Sequence, residues 1–163
     1  MEERIAAEAV EKLKASHLRA ATAESCTGGL VAKLITDVSG ASEVFEGGVV
    51  SYSNEVKINV LGVSRETLAA RGAVSEETAR EMANGARRRL CADVAVSTTG
   101  IAGPTGGTPD KPVGTVCFGV ASNAGVRSVT KHFGEELSRD EIRLAAAKFA
   151  LGLIADECDK YGN

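Results

Sequence analysis

The segment 19–38 passes from a strand pattern to a helix pattern within a few residues. Its first part, RAATAES (19–25), is a run of small and mostly apolar side chains, which predicts a buried strand. A Gly-Gly pair at 28–29 follows, and apolar residues then recur every four positions in LVAKLITDV (30–38), which predicts a helix. A strand that passes so directly into a helix is typical of an α/β fold.

Strand and helix patterns continue to alternate along the rest of the chain. Further strands are predicted at 44–53, 93–99, 114–122 and 126–133, the last two forming a hairpin. Helices are predicted at 2–17, from Asn54 as the N-cap through 60, from Ser75 to about 90, and from a capping box at 138–141 onward. A length of 163 residues suits one domain. We therefore predict an α/β fold, a single three-layer α/β/α domain with a mixed sheet, over 1–163.

Composition excludes several classes of function. The formal net charge is −3, so no overall field attracts nucleic acid. The chain has four cysteines without a CxxC pair and two distant histidines, which predicts neither a metal site nor a disulfide framework. No stretch reaches 18 apolar residues and the N-terminus lacks a basic region, so we expect a cytoplasmic protein without membrane contact.

Ser25 stands where the predicted strand ends and the Gly-Gly step begins. Backbone N–H groups converge at such a point and the helix dipole favours negative charge, which suits a nucleophilic serine. The alternative is that Ser25 or Thr27 simply caps the helix. The flanking residues do not form a G-x-S-x-G elbow, and neither His17 nor His132 is near in sequence. A serine nucleophile at this position therefore needs a base other than histidine.

Lys57 is the candidate for that base, because it follows the predicted strand end at 52–54, where side chains can face a cleft at the sheet edge. An ordinary lysine has a pKa of about 10.4, so only desolvation or nearby positive charge would free it to accept a proton. The alternative is a solvated helix lysine. Tyr52 either contacts a ligand or packs on the strand. Cys26 is either a rival nucleophile or a small buried cysteine.

The segment 100–114 contains five glycines and three prolines, which is too rigid and too long for a mere connector. It matches neither the G-x-x-x-x-G-K-[ST] pattern of nucleotide triphosphatases nor the G-x-G-x-x-G pattern of dinucleotide-binding folds. Its glycines could let backbone amides approach a phosphate or a developing oxyanion, with hydroxyls added by Thr98 and Thr99. The alternative is a set of tight turns that serve packing alone.

Three segments together resemble the CinA C-terminal family: TAESCTGGLVA (22–32), YSNEVK (52–57) with GAVS (72–75), and TGIAGPTGGTPDKPVGTV (99–116). The resemblance covers roughly residues 5–155. Stand-alone members of that family resemble nicotinamide-nucleotide amidases, which hydrolyse the carboxamide of nicotinamide mononucleotide to nicotinate mononucleotide and ammonia. The resemblance thus implies a serine/lysine hydrolase that needs no metal or organic cofactor.

The resemblance also implies roles for individual residues. Ser25 would be the nucleophile and Lys57 the base, with Tyr52 and Thr99 as further catalytic-site residues. The implied substrate-binding residues are Cys26, Thr27, Gly28, Asn54, Gly100, Gly103, Arg139 and Arg143. The family usually has a compact Gly-Asp-Arg segment before its last helix, whereas this chain has GEELSRDEIR (134–143). Either Arg139 or Arg143 could therefore take the phosphate-binding role.

The partner that the resemblance implies is a pyridine mononucleotide, and we also expect a homo-oligomer, with a dimer favoured. A non-catalytic alternative stays open. In that hypothesis the chain keeps the fold and the cleft as a nucleotide-binding or protein-interaction module linked to competence or DNA damage. The intact motif residues argue against it.

Overall fold

Five strands form one mixed sheet at the centre of the computed structural model, which describes residues 1–161. In chain order the strands are β1 (Ala20–Glu24), β2 (Phe45–Val50), β3 (Val94–Gly100), β4 (Thr115–Ser122) and β5 (Gly125–His132). Their spatial order is β2-β1-β3-β4-β5. Strand β1 is parallel to both β2 and β3, whereas β4 is antiparallel to its two neighbours. The predicted mixed sheet and its terminal hairpin are thus confirmed.

Helices cover both faces of this sheet. They are α1 (Glu2–Ser16), α2 (Leu30–Thr36), α3 (Asn54–Asn59), α4 (Arg65–Arg71), α5 (Glu76–Arg89) and α6 (Arg139–Asp159). Helices α1, α2 and α6 share one apolar core with one face of the sheet, and α5 packs on the opposite face. This arrangement confirms the predicted three-layer α/β/α architecture. Among residues 1–161, no helix has the length and apolar character needed to cross a membrane.

The small residues of β1 fit its central place in the molecule. The strand lies between β2 and β3 and has helices on both faces, and all five of its residues are buried. Ala20, Ala21 and Ala23 have no exposed surface. Alanine is a poor strand former, so burial and pairing on both edges, rather than propensity, place this segment in the sheet.

Two local features differ from the sequence-based expectation. The N-cap of α3 is Ser53, whose hydroxyl accepts a hydrogen bond from the Val56 N–H at 3.2 Å, and the predicted cap Asn54 is the first helical residue. Helix α4 was not predicted. It has no buried residue, so its sequence lacks the apolar period that marks a helix packed on a core.

The predicted start signals of the two longest later helices are confirmed. The Ser75 hydroxyl caps α5 by accepting from the Thr78 N–H. Ser138 and Glu141 form the reciprocal capping box of α6. This box fixes the first turn of α6, where Arg139 lies, beside the carboxyl ends of the parallel strands.

Candidate active site

The carboxyl ends of the three parallel strands meet at one edge of the sheet, and each contributes residues to a common cleft. Ser25 directly follows β1, Tyr52 lies just beyond β2, and Thr99 lies near the end of β3. In open α/β sheets such an edge is the usual place for a ligand. Chain topology thus brings together three segments that are far apart in sequence.

The cleft has a volume of about 280 Å³, just below the usual range of small-molecule sites, which begins near 300 Å³. It is lined by Ser25, Cys26, Tyr52, Asn54, Lys57, Ala73, Val74, Thr99, Gly100, Ile101, Ala102, Gly103, Thr105, Gly106 and Arg139. Nine of the twelve predicted site residues are in this set. The three that are not are Thr27, Gly28 and Arg143.

A serine hydroxyl and a lysine amine are in contact at the base of the cleft. The Lys57 Nζ lies 3.0 Å from the Ser25 Oγ, within hydrogen-bond distance. The same nitrogen lies 2.9 Å from the Ser51 carbonyl oxygen and 3.5 Å from that of Tyr52. Because only three residues separate β2 from α3, the Lys57 side chain reaches back under the strand ends to the residue that follows β1.

Lys57 is the largest fully buried side chain of the described residues, with 1% of its surface exposed. The hypothesis of a solvated helix lysine is therefore wrong. Burial lowers the pKa of the Lys57 amine below its ordinary value, because the charged form loses hydration. No carboxylate is among its hydrogen-bond partners, which are one hydroxyl and two carbonyl groups within residues 1–161. Such surroundings favour the neutral amine, the form that can accept a proton.

The turn that carries Ser25 is held by backbone and side-chain contacts on its buried side. The Ser25 N–H donates to the Thr98 carbonyl oxygen at 2.9 Å, which extends the β1–β3 pairing by one residue. The Thr27 hydroxyl lies 2.7 Å from the Thr98 hydroxyl and donates to the Glu24 carboxylate at 2.7 Å. Helix α2 has Gly29 as its N-cap and no side-chain cap. Neither Ser25 nor Thr27 therefore serves as the helix cap considered as their alternative role.

Cys26 lines the cleft beside Ser25 but has the properties of a structural cysteine. Burial raises the pKa of the Cys26 thiol to about 12. At neutral pH the thiol keeps its proton, and a protonated thiol is a poor nucleophile. The structure thus favours the buried-cysteine interpretation over the rival nucleophile.

Tyr52 and Arg139 meet at the mouth of the cleft. The Arg139 guanidinium donates to the Tyr52 hydroxyl at 3.2 Å and to the Gly103 carbonyl oxygen at 2.7 Å. The Tyr52 ring is 64% exposed, so it is not part of the strand packing that was one alternative for it. These contacts use two of the five N–H groups of the guanidinium and leave three for a ligand.

The glycine-rich segment forms one wall of the cleft, and packing explains some of its glycines. A Cβ on Gly100 would lie 2.6 Å from the Thr115 carbonyl oxygen, and one on Gly103, where φ is +74°, would lie 2.5 Å from a Val113 methyl group. Glycine is therefore required at both positions. Within residues 1–161, the N–H groups of Ala102, Gly103, Thr105 and Gly106 donate to no backbone carbonyl. All four residues line the cleft.

The structure distinguishes the two arginines that the sequence left as alternatives. Arg139 lines the cleft, but Arg143 does not. The Arg143 guanidinium donates instead to the Cys26 and Thr27 carbonyl oxygens, at 3.2 Å each. Two further predicted binding residues do not line the cleft either. Thr27 is buried beneath it, and Gly28 lies exposed next to Arg143.

Glu24 is the residue that sequence analysis missed. Its carboxylate is 1% exposed and accepts hydrogen bonds from the Thr27 hydroxyl and from the Val31 and Ala32 N–H groups. It therefore ties the turn that carries Ser25 to the first turn of α2. The available signal was an acidic residue at the last position of a strand whose other residues are small and buried. Buried carboxylates are rare unless they are paired.

Comparison with known proteins identifies the family to which this chain is similar. The model of the CinA C-terminal domain matches residues 2–158. A CinA-like protein from Chloroherpeton thalassium is 60% identical over 123 residues, which are 74% of this chain and 29% of that protein. The chain thus spans about a third of the length of such relatives.

Two solved structures have the same fold over nearly their whole length. The competence/damage inducible protein CihA from Agrobacterium tumefaciens superposes with a TM-score of 0.92 at 42% identity, covering 95% of this chain and 94% of that one. A competence-damaged protein (CinA) superfamily protein from Klebsiella pneumoniae superposes with a TM-score of 0.93 at 32% identity, covering 98% and 99%. The chain therefore belongs to the CinA C-terminal domain family.

Proposed function

We propose that this chain hydrolyses the carboxamide of nicotinamide mononucleotide to nicotinate mononucleotide and ammonia through a Ser25–Lys57 dyad. The observation that carries the proposal is the 3.0 Å contact between a buried lysine amine and a serine hydroxyl inside a cleft. A pair of this kind is the arrangement that a hydrolase without histidine needs. The substrate itself comes from the resemblance of the three motifs.

The hydrogen bonds of Lys57 support its role as the base. A neutral amine has two N–H groups and one lone pair. The Ser51 and Tyr52 carbonyl oxygens can accept the two N–H groups, which leaves the lone pair for the Ser25 hydroxyl proton. The same two carbonyls also stabilise the ammonium form that arises during the reaction, so Lys57 can hold the proton and then return it.

The acylation step follows from this geometry. The Ser25 Oγ forms a bond to the carboxamide carbon, its proton moves to the Lys57 Nζ, and the carbonyl electrons move to the oxygen. When the intermediate collapses, the C–N bond breaks and Lys57 gives its proton to the leaving nitrogen, which departs as ammonia. The product of this step is an ester between Ser25 and the nicotinoyl group.

Deacylation repeats these proton transfers with water as the nucleophile. Lys57 takes a proton from water as the water oxygen attacks the ester carbonyl carbon. Lys57 then gives that proton to the Ser25 Oγ when the ester bond breaks. Nicotinate mononucleotide leaves, and both residues regain their starting forms. Backbone amides near the nucleophile are candidates to stabilise the oxyanion, because the Cys26 and Thr27 N–H groups donate to no backbone carbonyl within residues 1–161.

Recognition of the 5′-phosphate is assigned to Arg139 and the neighbouring glycine-rich wall. The guanidinium has uncommitted N–H groups, and the amides of Gly103, Thr105 and Gly106 lie in the same cleft. Guanidinium and backbone N–H groups are strong partners for phosphate oxygens. We therefore propose that the carboxamide lies at Ser25 and the phosphate near Arg139.

The test is the release of ammonia from nicotinamide mononucleotide, nicotinamide riboside and free nicotinamide. We expect the highest kcat/KM for the mononucleotide, a loss of roughly a hundred-fold or more for the riboside, and a further loss for nicotinamide. Ammonia release that is absent with all three compounds, together with binding of the mononucleotide, would support the non-catalytic module instead. Equal turnover of riboside and mononucleotide would show that the cleft does not recognise phosphate.

A further inference from the structure

Arg139 and Arg143 stand one turn apart on α6 but reach different parts of the site. Residues four apart lie on the same face of a helix, so both side chains extend toward the strand ends. Arg139 enters the cleft, whereas Arg143 contacts the back of the turn formed by residues 25–29. We call residues 25–29 the nucleophile turn. Arg143 is therefore separated from any ligand in the cleft by the backbone that carries Ser25.

The contacts of Arg143 reach Ser25 through one peptide group. Its Nη2 donates to the Thr27 carbonyl oxygen at 3.2 Å, and the N–H of that same peptide belongs to Gly28. The Gly28 N–H donates to the Ser25 carbonyl oxygen at 3.1 Å. Since a peptide group is planar, holding its oxygen also fixes the direction of its N–H. The guanidinium thereby restrains the backbone of the nucleophile.

A second contact restrains the preceding peptide. The Arg143 Nε donates to the Cys26 carbonyl oxygen at 3.2 Å, so the guanidinium binds two successive carbonyls with two of its N–H groups. The N–H of the first of these peptides is that of Thr27, one of the proposed oxyanion donors. A flat guanidinium suits this paired contact, whereas a lysine ammonium is a single point of charge.

The nucleophile turn is thus held from two sides. On the interior side the Glu24 carboxylate and the Thr98 hydroxyl contact the Thr27 hydroxyl. On the outer side the guanidinium lies close to the backbone: a Cβ on Gly28, where φ is +60°, would be 3.0 Å from the Arg143 Nη2. Gly28 both permits the turn and leaves room for the guanidinium.

Among residues 1–161, no ion pair at short distance accounts for the position of Arg143. Its nearest carboxylate is Asp140, at 3.9 Å and 94% exposed, and an exposed pair of this kind contributes little. Charge-assisted hydrogen bonds to two carbonyls are the stronger interaction. The nucleophile turn, rather than an ion pair, is what the side chain is placed to bind.

We propose that Arg143 is a positioning residue, which acts through the Cys26–Thr27 and Thr27–Gly28 peptides to hold Ser25 and the adjacent amides in reactive geometry. This inference rests on the proposed function. A displacement of about 1 Å at a reacting group costs about 10²-fold in rate. Removal of the guanidinium should therefore lower kcat by roughly ten- to a hundred-fold and leave KM within about three-fold, because no substrate contact is lost.

The experiment compares Arg143→Ala and Arg143→Lys with Lys148→Ala, a control that removes a cation from the same helix outside the site. We expect the kcat loss to be largest for Arg143→Ala and smaller for Arg143→Lys, and Lys148→Ala to match wild type. Guanidinium chloride at low millimolar concentration should restore several-fold of the activity of Arg143→Ala, because the free ion can occupy the vacated position. The same concentration of sodium chloride should restore none.

A probe that needs no amide substrate separates this inference from the proposed function. The rate at which a fluorophosphonate labels Ser25 should fall in Arg143→Ala in parallel with kcat and recover with guanidinium. If wild type is labelled but releases no ammonia, the proposed amide substrate is wrong. The labelling rates of wild type and Arg143→Ala then still test the positioning role of Arg143. An Arg143→Ala variant with raised KM and unchanged kcat, or with unchanged labelling, overturns the positioning role. Absence of both labelling and turnover in wild type overturns both proposals.

A purely structural role predicts a different result. In that case Arg143→Ala would lower the melting temperature, and guanidinium would not restore its activity. The activity of Arg143→Lys would then change in proportion to its stability, whether or not the lysine can bind the two carbonyls. Melting curves of all three variants are therefore recorded beside the kinetics. A loss of activity that follows stability alone and does not respond to guanidinium counts against the inference.

Discussion

The Nζ of Lys57 lies 3.0 Å from the Oγ of Ser25, although the two residues are 32 positions apart in the chain. The contact exists because α3 starts only three residues after β2 and its Lys57 side chain reaches the residue that follows β1. Burial of the amine without a carboxylate partner disfavours its charged form. A buried lysine without a carboxylate partner destabilises the folded state, and the proposed role as a base gives a reason for its burial beside a cleft serine.

The rate of acylation should rise with pH. The pKa of Lys57 is lowered from its ordinary value, and burial is the main cause. In the proposed mechanism the neutral amine is the base, so the reactive fraction grows as pH increases through the lowered pKa and levels off above it. Single-turnover ammonia release between pH 6 and 9 measures this directly. A flat profile in wild type would count against a lysine base.

Lys57→Arg is the control for this pH dependence. Arginine keeps a positive charge but cannot lose its proton in a protein, so it cannot serve as a base. We expect kcat to fall by about 10²–10⁴-fold, the usual contribution of a general base. Lys57→Met gives the same loss without a buried charge, and melting curves check that both variants fold. Substantial activity in either variant would exclude Lys57 as the base.

Cys26→Ala should keep most of the activity. Burial raises the pKa of the Cys26 thiol to about 12, so very little thiolate is present at neutral pH. Iodoacetamide should accordingly modify this residue slowly and leave turnover almost unchanged at pH 7. The exposed Cys91 is the internal reference for labelling, which peptide mass spectrometry follows. Loss of turnover in Cys26→Ala, with activity kept in Ser25→Ala, would transfer the nucleophile to the cysteine.

Arg139→Ala should discriminate between two substrates. If its guanidinium binds the 5′-phosphate, kcat/KM falls by roughly a hundred-fold for nicotinamide mononucleotide and hardly changes for nicotinamide riboside. Tyr52→Phe is measured beside it to separate the contribution of the Tyr52–Arg139 contact, because it removes the hydroxyl that Arg139 contacts and keeps the ring. Equal losses with both substrates in Arg139→Ala would assign the arginine a structural or catalytic role instead.

The sequence predicts the layers and most of the helices and strands of this fold, because segments with a strong strand or helix pattern form the corresponding element in the structure. RAATAES forms β1, and Ser75 and Ser138 begin their helices as expected. Helix α4 was missed because none of its residues is buried, so an amphipathic pattern is lacking. The cap of α3 shifted by one residue because Ser53 has the extended backbone of an N-cap.

The site was only partly predictable for a different reason. Motifs identified Ser25 and Lys57, but their burial and contact depend on how β2 and α3 pack, which a sequence pattern does not encode. Glu24 was missed because a single acidic residue at the end of a strand is usually solvated. Its three hydrogen bonds appear only when α2 folds back over β1. The contacts of Arg139 and Arg143 differ because the two residues stand one helical turn apart on α6.

Glu24→Ala should be strongly destabilising. The substitution removes the acceptor of three hydrogen bonds. The Thr27 hydroxyl keeps the Thr98 hydroxyl as a partner, but the Val31 and Ala32 N–H groups lose theirs, at about 1–3 kcal/mol each. We expect a loss of at least about 2 kcal/mol, which lowers the melting temperature by about 4–8 °C in a domain of this size. Glu24→Gln, which keeps one carbonyl acceptor, should be intermediate. Glu8→Ala, on the exposed surface of α1, is the control. If Glu24→Ala had the same melting temperature as Glu8→Ala, the Glu24 hydrogen bonds would not stabilise the fold as stated.

Trapping of the acyl-enzyme is the measurement that tests the central claim most directly. Wild type is mixed with nicotinamide mononucleotide, quenched in acid within milliseconds, and analysed by intact-protein and peptide mass spectrometry, while ammonia is measured in the same samples. The account predicts a nicotinoyl mononucleotide ester on Ser25, ammonia release that precedes nicotinate mononucleotide, and neither event in Ser25→Ala. A Ser25→Ala variant that retains more than about a tenth of the turnover, or an adduct on Cys26, would contradict it.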